Sequence, residues 1–499
     1  MDKKKIPVLV GAAELTNREK TEKQKDPVEF MAEACRMAAK DAAISDLGGI
    51  DTICIVNCLS RILEKPGENL AKILGIESAR TNYSTIGGVT PQWFVNENAE
   101  KIYTGKAEVV LICGAESFYT KEKIPHFGTA FEYYVSNYDK PGAMFVGDKR
   151  QPYTHNEARY GLTLPIFMYA MFENALRAHW GKTMEDHMLE LSSFCSDFSK
   201  IASKNQHSWS KKFMSAKDIA TPTDKNKMVV FPYTKAMCAN MSINQAAAVI
   251  MTNLEKAEAY GISKDKMIFL RGSGAAEDNF LVSERPELWA SPSVSEAVDL
   301  ALNSVPVSLD EIQFLDFYSC FPCVPRIVRE MLKMSSTDPR PLTVTGGLAS
   351  FGGAGNNYTM HAICQMMDIL RKKSESFGMI HSISWFLSKH SIGIYNANPG
   401  EIPWTPHDPQ KKPVKYPAVN VVDKMEGKGT VESFIVKYNR DGQPHDAVLV
   451  GRDQAGNRFI ANVESGNGSI EQMTKEEPIG KTGNVKHDSS TQLNRFYFK

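Results

Sequence analysis

The chain has 499 residues, of which 42% are hydrophobic, 9% aromatic and 23% charged, and its 58 Lys and Arg balance its 58 Asp and Glu. This composition excludes a disordered or fibrous chain, and zero net charge provides no global field to recruit nucleic acid or an anionic membrane surface. No stretch reaches the roughly 18–20 uninterrupted apolar residues of a membrane span. Met1-Asp2-Lys3-Lys4-Lys5 leads only into a short apolar run over 6–13, expected to be a buried strand and not a secretory leader. The nine cysteines are too sparse for a disulfide framework, and Cys54, Cys58, Cys113 and Cys364 sit in apolar context, so a reducing cytoplasm is expected. Cys320-Phe321-Pro322-Cys323 has CxxC spacing, but no second Cys or His pair follows at zinc-site distance, and no metal site is expected.

In chain order, residues 6–10 read as a strand ending in a turn at Gly11. Helical spacing behind an Asp-Pro start predicts a helix over 26–41 capped by Asp26. A β-branched run predicts a strand over 52–57, then a helix over 93–103 and a strand over 108–113, buried on both faces, before Gly114-Ala115-Glu116-Ser117. This alternation predicts a parallel sheet with covering helices. From 118 to 235 the sequence turns polar and aromatic-rich, with helices over 166–180 and 184–198, as in an inserted lid or binding subdomain. Strands resume at 246–251 and 312–317. A proline-rich linker follows Tyr395, with Pro399, Pro406, Pro409, Pro413 and Pro417. Beyond it, strands over 429–438, 447–450 and 458–461 with an Asp441-Gly442 hairpin turn predict a small OB-like β module. Neutral overall charge assigns that module a packing or lid role in preference to nucleic-acid binding.

One pattern recurs. Thr85-Ile86-Gly87-Gly88-Val89 runs into a helix and then a buried strand, and Ser350-Phe351-Gly352-Gly353-Ala354 runs into a helix over 357–370 and then a strand over 379–384. The recurrence predicts a duplicated βαβ-containing half. A Gly-Gly turn opening a helix presents backbone N–H groups and the positive end of the helix dipole to a thioester oxyanion or a phosphate; the alternative is tight helix–strand packing. Two such turns related by a pseudo-twofold axis would converge on one site, so Gly87, Gly88, Gly352 and Gly353 are candidates for its backbone.

The sequence resembles the thiolase superfamily, and more closely its thiolase-like proteins of type 1. The resemblance rests on Val8-Leu-Val-Gly-Ala-Ala-Glu14, Gly114-Ala-Glu-Ser117, Phe172-Glu-Asn-Ala-Leu-Arg177, Phe231-Pro-Tyr-Thr-Lys235, Asp316-Phe-Tyr-Ser-Cys-Phe-Pro322, Leu342-Thr-Val-Thr-Gly-Gly347 and Ser388-Lys-His390. It implies an α/β fold of two βαβαβαββ halves, a loop domain that holds coenzyme A, and an additional C-terminal β domain. The expected domains are 1–117 with 236–285, an insert over 118–235, a second half over 286–398, a linker over 399–419 and a β domain over 420–499. The ligand implied is coenzyme A or an acyl-CoA, with no covalently bound cofactor. Partners left open are a homodimer through the sheet edge of the first half and an accessory subunit.

The departures from the family pattern matter as much. The nucleophilic Cys of catalytic thiolases falls at Gly88 or its neighbour, and Gly-His-Pro becomes Gly352-Gly353-Ala354. His-Asp-Cys-Phe becomes Tyr318-Ser319-Cys320-Phe321, and the late Cys-x-Gly becomes Ser382-Ile383-Ser384. Ordinary thiolysis needs an activated thiolate and a proton acceptor, so it is not expected here. The remaining catalytic candidates are Tyr318, as hydrogen-bond donor or base, Lys389 and His390, and Cys320, for which packing is the competing reading. His361 and His381 read as structural, and Asn356 and Asn357 as helix caps. Tyr233 and Lys235 are candidates for contact with coenzyme A, against surface or packing use. Three functions stay open: an acyl-CoA-binding acyltransferase-like protein, a tyrosine-dependent retro-aldolase, and an inactive acyl-CoA-binding or partner subunit.

Overall fold

The computed structural model describes residues 2–124, 127–140, 145–401, 404–406, 416–464 and 469–498. β1 (Pro7–Thr16) leads to the helix Pro27–Asp41, which starts where the Asp26 carboxylate accepts from Val28 N–H and Pro27 fixes the first turn. β2 (Thr52–Ile55), β3 (Arg80–Ser84), the helix Thr90–Tyr103 and β4 (Val109–Ser117) follow. The inserted segment holds the helix Phe127–Asn137, β5 (Phe145–Val146), the helices Pro165–His179 and Met184–Lys204, β6 (Met228–Val230) and β7 (Tyr233–Thr234). Then come β8 (Asn244–Asn253), β9 (Ile268–Glu277), the helix Ser293–Leu302 and β10 (Ile312–Phe317). The helix Tyr358–Lys372, β11 (Phe377–Ser384) and β12 (Lys389–Asn396) complete this part.

The ten-stranded sheet has the order β10-β11-β12-β9-β1-β8-β4-β2-β3-β5. Its topology repeats. β2 and β4 are parallel, β4 and β8 antiparallel, β8 and β1 antiparallel. β10, β11, β12 and β9 reproduce that succession and those directions. The two runs meet at β1 and β9 through the pairs Val8↔Phe269 and Leu9↔Ile268. Along β8, Ala246, Ala248 and Ile250 face a core built with the helix Pro27–Asp41, whereas Ala247, Val249 and Met251 face a core built with the helices Thr90–Tyr103 and Tyr358–Lys372. That second core also receives Leu270 and Ile380, so the Thr90 and Tyr358 helices form a middle layer shared by both runs. Val294, Ala297, Val298 and Ala301 cover the outer face of the second run.

The structure departs from the sequence reading in three places. The sheet is mixed, because β8 and β12 return antiparallel; only the outer pairs of each run are parallel. Gly11 ends no strand: β1 passes it in a bulge, and a Cβ there would lie 2.2 Å from Ala38 O, so glycine allows the helix Pro27–Asp41 to approach the sheet. The second run has no described counterpart of β3. Residues 342–345 run beside β10, but Val344 N–H and the Thr343 hydroxyl donate to the Asp316 carboxylate at 2.9 Å. The backbone there makes one bond to the strand, Phe317 N–H to Leu342 O at 2.9 Å, and is otherwise held by the Asp316 side chain.

The C-terminal part holds β13 (Val421–Val422), β14 (Gly427–Tyr438), β15 (Pro444–Asp453), β16 (Arg458–Val463), β17 (Thr482–Asp488) and β18 (Leu493–Phe498). β14 pairs β15, β15 pairs β16, β16 pairs β18 in parallel, β18 pairs β17 and β17 pairs β14, which closes an OB-like barrel. β6 of the insert adds to β14, and β7 to β6. Of the proline-rich linker, residues 402–403 and 407–415, with Pro403, Pro409 and Pro413, lie outside the described residues. Among the described residues no helix is long and apolar enough to cross a membrane.

Candidate functional site

The two glycine turns meet between the halves. Gly87 N–H donates to Asn356 Oδ1 at 2.9 Å, Asn356 Nδ2 donates to Asn57 O at 3.0 Å, and the Thr359 hydroxyl donates to Gly88 O at 3.1 Å. The Asn356 side chain therefore ties one turn to the other instead of capping a helix, and Asn357, at the cap position, donates to Gly114 O at 2.8 Å without a side-chain cap bond. The four glycines are not equivalent. Gly87 N–H is engaged by Asn356 and Gly353 N–H by Asn240 O at 2.8 Å. Gly352, at φ 128°, abuts Gln245, whose Oε1 would lie 2.3 Å from a Cβ, which is the packing role. Gly88 N–H has no partner among the described residues.

Glycine at 87 and 88 makes room for side chains of the second half. A Cβ on Gly87 would lie 2.2 Å from Ser384 Oγ, and a Cβ on Gly88 would lie 2.6 Å from the Tyr318 hydroxyl and 2.9 Å from Ile383 O. Tyr318 thus stands where a side chain at position 88 would project. It is 7% exposed, stacks edge-on against Tyr358 at 5.4 Å between ring centroids, and its hydroxyl has no hydrogen-bond partner among the described residues. Burial, reinforced by Cys320, pushes its pKa well above the usual 10, so the phenol keeps its proton. It can donate to a carbonyl oxygen; it cannot serve as a base near neutral pH.

Next to this contact a cleft of about 650 Å³ opens at the start of the Thr90 helix, between Ile86, Val89 and Trp93 on one side and Ala276, Trp385 and His390 on the other. Trp385 and Leu387 sit at φ 53° and 57°, a left-handed conformation that costs a non-glycine residue energy. The Tyr169 hydroxyl holds that turn by donating to Trp385 O at 2.6 Å. Lys389 lines the cleft, but its ammonium pairs with Asp148 and lies 3.7 Å from Glu277, while Arg150 bridges the same two carboxylates. Burial opposes the Asp148 charge, yet Arg150 and Lys389 outweigh it and hold the carboxyl well below its ordinary value. His390 also lines the cleft with both ring nitrogens engaged: Nε2 lies 2.9 Å from Ser291 Oγ and Nδ1 lies 3.0 Å from His381 Nε2.

The other candidates lie elsewhere. Burial pushes the Cys320 thiol up to about 12, which leaves it protonated and poorly nucleophilic. Tyr233 does not line the cleft; it is fully buried, and its hydroxyl donates to Glu173 at 2.9 Å within a group that includes Arg326 and His187. Lys235 is exposed on the insert, also off the cleft. His361 pairs with Glu14 at 2.9 Å. Asp148, Arg150, Asp278 and Ser291, which set the state of Lys389 and His390, carry no motif; each reaches the site from a loop remote in sequence.

Comparison with known proteins adds one family match and three structural likenesses. Residues 409–490 match the family model of the thiolase-like protein type 1 additional C-terminal domain. The whole chain is similar to a monomeric SCP2-thiolase-like protein type 1 from Mycobacterium smegmatis, with 29% identity over 99% of each chain and a TM-score of 0.82. The fold without the barrel is shared with an Ltp2-ChsH2(DUF35) aldolase, at 15% identity, 79% of this chain, 98% of that one and a TM-score of 0.59. It is shared equally with human mitochondrial 3-ketoacyl-CoA thiolase in complex with CoA, at 14% identity, 79% and 98% coverage and a TM-score of 0.55.

Proposed function

We propose that the chain, which is similar end to end to a thiolase-like protein of type 1 and matches that family's additional C-terminal domain, binds an acyl-CoA in its cleft and polarises a carbonyl of it through Tyr318, with no cysteine acyl-enzyme. The observation that carries the reading is the unpartnered Tyr318 hydroxyl in the space a Gly88 side chain would fill, beside the free Gly88 N–H. Neither group lines the cleft itself, although Val89, next to Gly88, does; two such donors suit an oxygen that gains negative charge. Carbon–carbon cleavage of the retro-aldol type fits them. In a β-hydroxyacyl thioester the electron pair of the breaking Cα–Cβ bond moves onto the thioester as an enolate whose oxygen accepts from Tyr318 and Gly88, the β-hydroxyl gives its proton to a solvent water in the open cleft as the new carbonyl forms, and a proton returned to Cα releases the shortened acyl-CoA. An aldolase and a CoA-bound thiolase among the proteins of this fold are consistent with that chemistry. Lys235, exposed on the insert outside the cleft lining, is the residue proposed to meet a phosphate of coenzyme A beyond the cleft mouth. The setting is cytoplasmic, where the free thiols stay reduced.

A second reading, an acyl-CoA-binding subunit without turnover, is favoured by one observation: Lys389 and His390 are tied up, and Tyr318 holds its proton, so none of the three is a ready base. Calorimetry with short and long acyl-CoAs tests the shared claim, and silence with all of them would remove both readings. Tyr318→Phe separates them. As an oxyanion donor the hydroxyl contributes about 2–4 kcal/mol, so turnover of a β-hydroxyacyl-CoA should fall about 30- to 1,000-fold with little change in melting temperature. Unchanged turnover per folded molecule would end the catalytic case for Tyr318.

A further inference from the structure

The C-terminal barrel lies away from the cleft, yet one of its buried charges reaches the cleft wall through a single loop. Arg458 on β16 is fully buried. Its guanidinium donates to Ser283 O at 2.9 Å, to Arg285 O, and to Pro286 O at 3.2 Å. Arg452, its cross-strand neighbour on β15, donates to Pro286 O at 3.0 Å. Glu432 binds both guanidiniums, and it projects toward them because it is the extra residue of a bulge in β14, between Val431 and Ser433. The backbone of the segment before β13 adds two ties, Val419 N–H to Glu284 O at 2.8 Å and the Asn279 side-chain Nδ2 to Pro417 O at 2.8 Å. The loop 279–287 is thus gripped by the barrel along its length.

The two ends of that loop hold His390. Asp278 Oδ2 accepts from the hydroxyls of Ser291 and Ser293, and Ser291 Oγ lies 2.9 Å from His390 Nε2. Burial acts to raise the Asp278 pKa, but His390, Arg285 and Ser291 outweigh it, so the carboxylate is ionised and only accepts. The single Ser291 proton therefore goes to Asp278, and Ser291 Oγ accepts from His390 Nε2–H. Nε2 is thus the nitrogen of His390 that donates to Ser291, and Nδ1 faces Nε2 of His381 at 3.0 Å, where burial keeps His381 neutral. From inside the loop, Arg285 donates to Ser388 Oγ at 3.0 Å, two residues from His390.

We propose that the barrel is the positioning element of the cleft, with Arg458 as the positioning residue that fixes the tautomer and ring orientation of His390 through the loop 279–287. This deepens the acyl-CoA reading by giving the additional domain its role there, but its main readout needs no ligand. The test is the two-bond ¹H–¹⁵N spectrum of histidine side chains in the full chain, with the His390 signals assigned by their loss in His390→Gln. Wild type should show the Nε2–H tautomer. Arg458→Met should shift the His390 signals toward mixed tautomers and weaken octanoyl-CoA binding about tenfold, equivalent to about 1.4 kcal/mol; Arg458→Lys should lie between. Arg452→Met, which leaves Arg458 in place, gives the same direction of change if Arg458→Met does not fold. Asn174→Ala, which loosens the barrel's contact with the insert, should leave the His390 signals where they are. An unmoved His390 ring in a folded Arg458 or Arg452 variant overturns the proposal, as does an equal shift in Asn174→Ala. If octanoyl-CoA does not bind wild type, the acyl-CoA reading falls while the His390 readout still decides this one.

Discussion

Gly88 and Tyr318 act as one unit. Each is small or large because the other is large or small: the phenol fills the volume in front of the glycine, and a Cβ at 88 would overlap both the hydroxyl and Cζ, 2.7 Å away. Placing a cysteine at position 88 alone therefore overpacks a close-packed contact. Gly88→Cys should cost about 1–3 kcal/mol of stability and give no added acetyl mass after incubation with acetoacetyl-CoA. Tyr318→His removes the atoms that overlap, so Gly88→Cys in that background should cost clearly less than in wild type. Urea unfolding of the four proteins of this cycle measures the coupling. Strict additivity would show that the two positions do not compete for the same space.

Between elements, the halves are tied by buried polar pairs as well as by apolar packing. Glu14 on β1 faces His361 on the Tyr358 helix at 2.9 Å and is also bound by Gln365. Burial pushes the Glu14 carboxyl up to about 7 and His361 down to about 3. A carboxyl raised in the fold adds stability that is complete below its unfolded value of 4.5 and is lost as pH rises through about 7. The lowered His361 acts oppositely below pH 6.5, in wild type and variant alike. Glu14→Gln reproduces the protonated acid: its oxygen accepts from Gln365 and its N–H donates to His361 Nδ1. The variant should match wild type near pH 4.5 and exceed it by about 2–3 kcal/mol above pH 7. Urea unfolding at both pH values checks this; a constant difference would mean that Glu14 is ionised throughout.

For the whole molecule, the edge of the first half is decided by the insert. β3 would be an open edge strand, but β5 of the same chain pairs it, Tyr83 to Phe145 and Ser84 to Val146. β5 is only two residues long, which leaves little ladder for a second copy. The sheet-edge homodimer considered from the sequence is therefore disfavoured, and equilibrium sedimentation should give a monomer at micromolar concentration. A dimer that persists after Tyr83 and Phe145 are kept intact would place the interface on another face.

What the sequence determined by itself is local or periodic. The Asp26 cap, the strand spacing of β4, β8 and β14, the Asp441-Gly442 hairpin and the recurrence of a Gly-Gly turn before a helix follow from neighbouring residues, and through the repeat they reach the doubled fold. That neither Gly88 nor Gly353 carries a side chain able to act as nucleophile or base was legible as well. The states of the polar side chains were decided only by tertiary structure. Lys389 looks like a free cation until Asp148 of the insert arrives beside it, and His390 like a free base until Asp278 and Ser291 take its Nε2. Tyr233, adjacent to Lys235, becomes core because Glu173 needs its hydroxyl. Protonation and hydrogen bonding depend on distances of a few ångströms between residues that lie 60 or more positions apart in these pairs, and no pattern along the chain encodes such distances.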